Sequence, residues 1–137
     1  DFSIGVAINP TADNLDTELE RLKLKIAAGA QFAMTQPMYR LDVLERFLTK
    51  AKEYQIPTIL GLLPLQSYRQ AEFLHNEVPG IDIPQEIRDR LNRAGKDAAS
   101  VGIESCRELL HAAKHLVQGA YLMPSFGRYE TILQVLE

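Results

Sequence analysis

The stretch FAMTQPMYR, residues 32–40, changes character halfway. Phe32 to Met34 are apolar and read as a short buried strand. Thr35 and Gln36 follow. Pro37 has no N–H to give a neighbouring strand, so it is expected to stop the ladder. A strand that finishes in Thr-Gln-Pro sets an uncharged amide at its C-terminal lip. In α/β proteins that lip is where ligands sit.

Three more apolar runs flank this one: FSIGVAI (2–8), TILGLL (58–63) and AYLM (120–123). Each is continuous rather than alternating, as expected for strands of a parallel sheet. Helical patterns lie between them. Leu15, Leu19, Leu22 and Ile26 form one apolar stripe, and Gly29 closes that helix. Leu41, Leu44, Phe47, Leu48 and Ala51 form a second stripe, with Asp42 and Glu45 spaced as a capping box. Ser67 and Gln70 repeat the box before a third helix. VPGIDIP (78–84) reads as a loop, with Pro84 at the first turn of another helix. Residues 96–117 read as a longer helix interrupted near Gly102, and residues 128–136 as a final one. The resulting order, β-α-β-α-β-α-α-β-α, predicts a parallel sheet with helices outside. Half of a (β/α)8 barrel and a small doubly wound sheet both satisfy it.

Bulk properties narrow the function. The 137 residues suit one domain or part of a larger one. Hydrophobic residues make up 46% and charged residues 24%, which is a folding and not a disordered composition. A net charge of −3 argues against a broad nucleic-acid surface. The single cysteine, Cys106, rules out an internal disulfide and fits a reducing, cytoplasmic setting. No apolar run reaches membrane-spanning length. The chain opens at Asp1 inside a strand pattern, and so reads as a segment of a longer protein.

The lips of the four runs collect the polar chemistry: INPTADN, TQPMYR, PLQSYRQ and PSFGRY. Asn9, Gln36, Gln66 and Gln70 are neutral amides, each offering a donor and an acceptor to a flat heterocycle. No acid–base pair has catalytic spacing, and hydride chemistry on a flavin needs positioning more than such a pair. Each feature also has a plainer reading. Gln70 can serve only as the partner of the Ser67 cap, and Gln36 can pair with loop backbone. Glu18, Arg21 and Lys25 form a helix stripe that is either a solvated charged face or a phosphate contact. His111 and His115 are four apart, but nothing nearby completes a metal site, so the pair reads as structural. Gly61, alone inside a strand, reads as a close-packing position.

GVAINP, the helix LERLKLKIAAGAQFAMTQ, GLLPLQSYRQ and the late GRYE together resemble the methylenetetrahydrofolate reductases. The run K-x-x-AGA-x-x-x-x-TQ is the most specific part. The resemblance covers nearly the whole chain and corresponds to strands five to eight of that family's FAD-containing (β/α)8 TIM-type barrel. It is greatest to the form fused to a homocysteine methyltransferase module. Residues 1–137 are then one half-barrel with no second domain. The family reduces 5,10-methylenetetrahydrofolate to 5-methyltetrahydrofolate, with NAD(P)H reducing FAD and the flavin reducing the folate. The resemblance implies substrate contacts at Gln36, Gln70 and, across a one-residue gap, Arg128. It implies FAD contacts at Asn9, Glu18, Arg21 and Lys25. The family's catalytic acid lies on a strand absent from this segment, so no catalytic residue is assigned and no metal is expected. Pro37, Met38, Tyr39 and Arg40 depart from the aromatics and aspartate of many relatives, which bears on nicotinamide and folate preference. The segment alone is expected to be inactive and to need its missing half-barrel or to self-associate. A non-enzymatic association or scaffold unit is the competing reading. A different barrel enzyme acting on a phosphorylated metabolite is a third.

Overall fold

A computed structural model describes residues 1–137. The order is β1 (Gly5–Ile8), α1 (Leu15–Ala27), β2 (Phe32–Pro37), α2 (Leu41–Ala51), β3 (Thr58–Leu62), α3 (Tyr68–Glu77), α4 (Gln85–Ala94), α5 (Ala98–Ala113), β4 (Gly119–Leu122) and α6 (Glu130–Leu136). The four strands are all parallel, and their order in the sheet is β1-β2-β3-β4. This order separates the two expected architectures. A doubly wound sheet reverses its strand order at a switch point. Here nothing reverses, so right-handed crossovers keep the helices on one face. The arrangement is an α/β fold compatible with part of a (β/α)8 barrel.

The core records the same one-sidedness. Ile8 and Ala33 pack with Leu15, Leu19 and Leu22 of α1 and Phe47 of α2. Leu60 and Leu62 pack with Leu44 of α2, Cys106 and Leu109 of α5, and Val135 of α6. Leu22 and Phe47 are completely buried, each contributing about 1.5–3 kcal/mol through burial. On the opposite face Phe32, Met34, Ile59 and Tyr121 are only partly covered. A barrel would turn that face inward.

Several sequence expectations shift. β1 begins at Gly5 rather than at Phe2, whose side chain is 94% exposed. Pro37 does not stop the ladder: it lies within β2, opposite Gly61, after a register shift that begins at Met34. The reason is that Pro37's own N–H is not needed there. Met38 N donates to Gly61 O at 3.0 Å, and the Thr35 hydroxyl accepts from Gly61 N at 2.8 Å. The capping box at α2 does not form, because Asp42 engages the Arg40 guanidinium at 2.8 Å. Three helices separate β3 from β4, matching the three helical patterns read there and one more than the expected element order counted. β4 ends at Leu122, one residue earlier than expected. α5 runs through Gly102 unbroken. Gly102 is there because the Leu65 backbone lies against the helix: a Cβ would fall 1.8 Å from Leu65 O.

Candidate functional site

Parallel strands place all four lips at one end of the sheet. The lips after β3 and β4 are sewn together. Ser67 caps α3 by accepting from Gln70 N at 3.0 Å. The Gln70 side chain reaches past the cap, accepting from Gln66 N at 2.7 Å. Its Nε2 donates to Ser125 Oγ at 3.0 Å, and Ser125 Oγ donates to Pro64 O at 3.1 Å. Arg128 Nη1 lies 3.4 Å from Gln66 Oε1. Gln70 thus has a structural task, yet its amide keeps one N–H and one lone pair free. The Nε2 of Gln66 is buried with no partner in the chain. A buried donor left unpaired costs about 1–3 kcal/mol, so this atom marks a place where a ligand acceptor would be stabilising.

Gln36 sits at the β2 lip. Its carbonyl accepts from the Thr35 hydroxyl at 2.7 Å, while its side-chain amide has no partner in the chain. Behind it Tyr121 of β4 crosses over Gly61 and donates its hydroxyl to Thr35 O at 2.5 Å. Burial raises the Tyr121 phenol above its ordinary value, so it stays a neutral donor. Gly61 is the close-approach glycine that the sequence suggested, since a Cβ there would fall 2.5 Å from the Tyr121 oxygen.

The β1 lip is different, because β1 is an edge strand. Asn9 Oδ1 closes a local turn by accepting from Thr11 N at 3.1 Å. Two side chains of α1 occupy the open edge. Lys25 Nζ donates to Ala7 O at 2.7 Å, and the buried Glu18 accepts from Asn9 N at 2.9 Å. One residue of a parallel neighbour opposite Ile8 would make the same two bonds, N–H to Ala7 O and C=O from Asn9 N. Arg21 lies 3.8 Å from Glu18 with its side chain largely exposed. The stripe that reads in sequence as a solvated face is therefore partly folded onto the sheet edge.

A cavity of about 600 Å3 lies elsewhere, between α5 and α6 beside Leu110, His111, Val135 and Leu136, and contains none of these lip residues. His111 is in the last turn of α5, but His115 lies beyond the helix end, so the pair does not share a helical face. No helix is long and apolar enough to cross a membrane.

The family model described as Methylenetetrahydrofolate reductase matches residues 1–136. The chain belongs to the methylenetetrahydrofolate reductase family. A probable methylenetetrahydrofolate reductase (NADPH) of Caenorhabditis elegans is 31% identical over 98% of this chain and 22% of its own length. Methylenetetrahydrofolate reductase 2 of Saccharomyces cerevisiae is 34% identical over 80% of this chain and 20% of its own length. The 5,10-methylenetetrahydrofolate reductase of Buchnera aphidicola subsp. Schizaphis graminum is 26% identical over 85% of this chain and 42% of its own length. The chain therefore spans well under half of these relatives. Among solved structures, an uncharacterized protein from Clostridium thermocellum that binds two copies of 5-methyl-5,6,7,8-tetrahydrofolic acid superposes with a TM-score of 0.68 at 22% identity. That likeness covers 99% of this chain and 52% of the other, and it speaks to fold.

In donor and acceptor type these residues suit the flavin that family resemblance implies, although Lys25 Nζ and the Glu18 carboxylate are engaged at the β1 edge in this structure. Arg21 and Lys25 offer cationic donors of the kind phosphate takes, and Glu18 is an acceptor of the kind ribose hydroxyls need. Residues that the sequence did not single out also shape the mouth. Thr35, Tyr121 and Ser125 brace the lips from within, and Thr11 reaches Gly80 O at 2.7 Å. Only the hydroxyl beside a strand end was visible beforehand, and that signal is weak.

Proposed function

We propose that this chain is the half of a (β/α)8 barrel, strands five to eight, that carries the folate side of a flavin-dependent methylenetetrahydrofolate reductase. The proposal rests chiefly on the gathering of unengaged amides at one end of a parallel sheet. The Gln36 amide has no partner in the chain, and Gln66 Nε2 is buried without one. The unengaged Gln36 amide beside an apolar sheet face suits a pterin, which is flat and carries donors and acceptors on its edge. In this reading Gln36, Gln70 and Arg128 hold the folate, with Arg128 toward its carboxylates. Asn9, Glu18, Arg21 and Lys25 hold FAD. Bound flavin supplies the hydride carrier, with NAD(P)H as its reductant. The protein groups orient the folate and keep water from it.

The edge of β1 gives the proposal a physical sequence. A strand docking there satisfies Ala7 O and Asn9 N with backbone and releases Lys25 and Glu18 toward the cofactor. Fusion to a homocysteine methyltransferase module, a cytoplasmic setting and a role in methionine synthesis belong to the same proposal. The test uses the full-length polypeptide. Gln36→Ala is expected to lower reduction of 5,10-methylenetetrahydrofolate far more than flavin content. Equal loss of both, or of neither, would remove the folate role. A colourless full-length protein that binds no flavin would favour the scaffold reading.

A further inference from the structure

The loop between α3 and α4, residues 78–84, crosses from the β3 side of the mouth to the lips of β1 and β2. It is pinned along its length. The Thr11 hydroxyl lies 2.7 Å from Gly80 O and 2.6 Å from Asn9 Oδ1, sharing one proton between two acceptors. Asp82 takes Arg40 Nη1 at 3.1 Å. The Ile83 N–H donates to His75 Nδ1 at 3.1 Å, and Ile83 O accepts from Arg88 Nε at 3.1 Å. The Ile83 side chain is wholly buried. This segment is a fixed strap and not a loose connection.

Its centre meets Gln36. Gly80 has φ +85°, a conformation that favours glycine. A Cβ on Gly80 would lie 2.2 Å from Gln36 Oε1, 2.8 Å from Cδ and 3.0 Å from Nε2. The bare backbone of the strap therefore lies against the whole amide group. No other residue at position 80 leaves that amide where it is. The obstructed atoms are the end of a flexible side chain, so added bulk would swing the amide aside before disturbing the sheet.

We infer that Gly80 is a positioning residue: the strap sets the place of the Gln36 amide, and Thr11 holds the strap. The inference rests on the folate reading above and extends it to a loop of otherwise unassigned role. Bulk on the strap removes the reader from its place without touching the ligand's other contacts.

The experiment is a titration of the flavin-loaded full-length protein with 5-methyltetrahydrofolate. Gly80→Ala is expected to weaken binding by about tenfold, or 1.4 kcal/mol. In the Gln36→Ala background the same substitution is expected to cost almost nothing, because the group it displaces is gone. Thr11→Val adds no bulk and no backbone strain. It is expected to weaken binding by a smaller factor, and again only while Gln36 is present. The Thr11→Val pair decides the matter if Gly80→Ala does not fold. Losses that add fully to that of Gln36→Ala, or unchanged binding in both variants, overturn the role of Gly80. A wild type that does not bind 5-methyltetrahydrofolate overturns the folate reading first and this inference with it.

Discussion

Tyr121 and Thr35 belong to strands separated by β3, yet the Tyr121 hydroxyl donates to the Thr35 carbonyl at 2.5 Å. The bond spans the sheet because Gly61 between them has no side chain. A Cβ at position 61 would lie 2.5 Å from the Tyr121 oxygen and 2.7 Å from Cζ. Tyr121→Phe is expected to cost about 1 kcal/mol, a typical net hydrogen bond. Gly61→Ala must move the ring as well and is expected to cost about 1–3 kcal/mol. Urea unfolding of both variants checks the order, and an Ala variant as stable as wild type would contradict it.

Lys25 carries a second prediction. In the full-length protein Lys25→Glu is expected to release flavin while the fold persists, a loss of about 1–3 kcal/mol in binding, as for a charge-assisted hydrogen bond. Flavin absorbance after gel filtration measures it. Retained flavin would return Lys25 to the role it has here, covering the Ala7 carbonyl.

Residues 1–137 expressed alone are expected to associate and to lack folate reduction. The sheet face away from the helices leaves Met34 and Ile59 partly uncovered, and the outer edge of β4 lacks a neighbour, whereas Lys25 and Glu18 cover the edge of β1. Unpaired apolar edges favour association. Light scattering with an activity assay tests this. A stable monomer with bound FAD and turnover is the outcome that refutes it.

Gly102 is expected to tolerate nothing larger. Its missing Cβ would sit 1.8 Å from Leu65 O and 2.7 Å from Leu65 C, which are backbone atoms that cannot rotate away. Gly102→Ala is expected to cost about 3 kcal/mol or more despite alanine's better helix propensity. A thermal melt within a degree or two of wild type would contradict the packing argument.

Glu72 gives a pH dependence with a definite sign. Its hydrogen bond to Arg88, at 3.0 Å, lowers the carboxyl below its ordinary value. A lowered folded value means stability that is present above the unfolded value, about 4.3. That contribution is lost as pH falls through the lower folded value. Glu72→Gln is therefore expected to destabilise the protein near neutrality and to make no difference in strong acid. Denaturant midpoints at the two pH values measure it, and an equal effect at both would exclude this linkage.

The sequence by itself determined the strand and helix alternation and the apolar stripes, because burial imposes a period that short windows display. Leu15, Leu19 and Leu22 are buried as their spacing required, and Gly29 follows α1 with φ +112°. Sequence motifs also marked the family and the polar lips, which depend only on which residues end each strand. Tertiary structure decided what no window contains. Strand order chose a one-sided sheet over a doubly wound one, since crossover direction is a property of the packed chain. The register shift between Met34 and Pro37 kept Pro37 in the ladder, because the missing N–H matters only relative to β3. Lys25 and Glu18 lie on the β1 edge because that edge offers an unpaired carbonyl and N–H. Gly80 meets Gln36 across a sequence separation of 44 positions, a contact set by the strap's anchors and invisible to any local pattern.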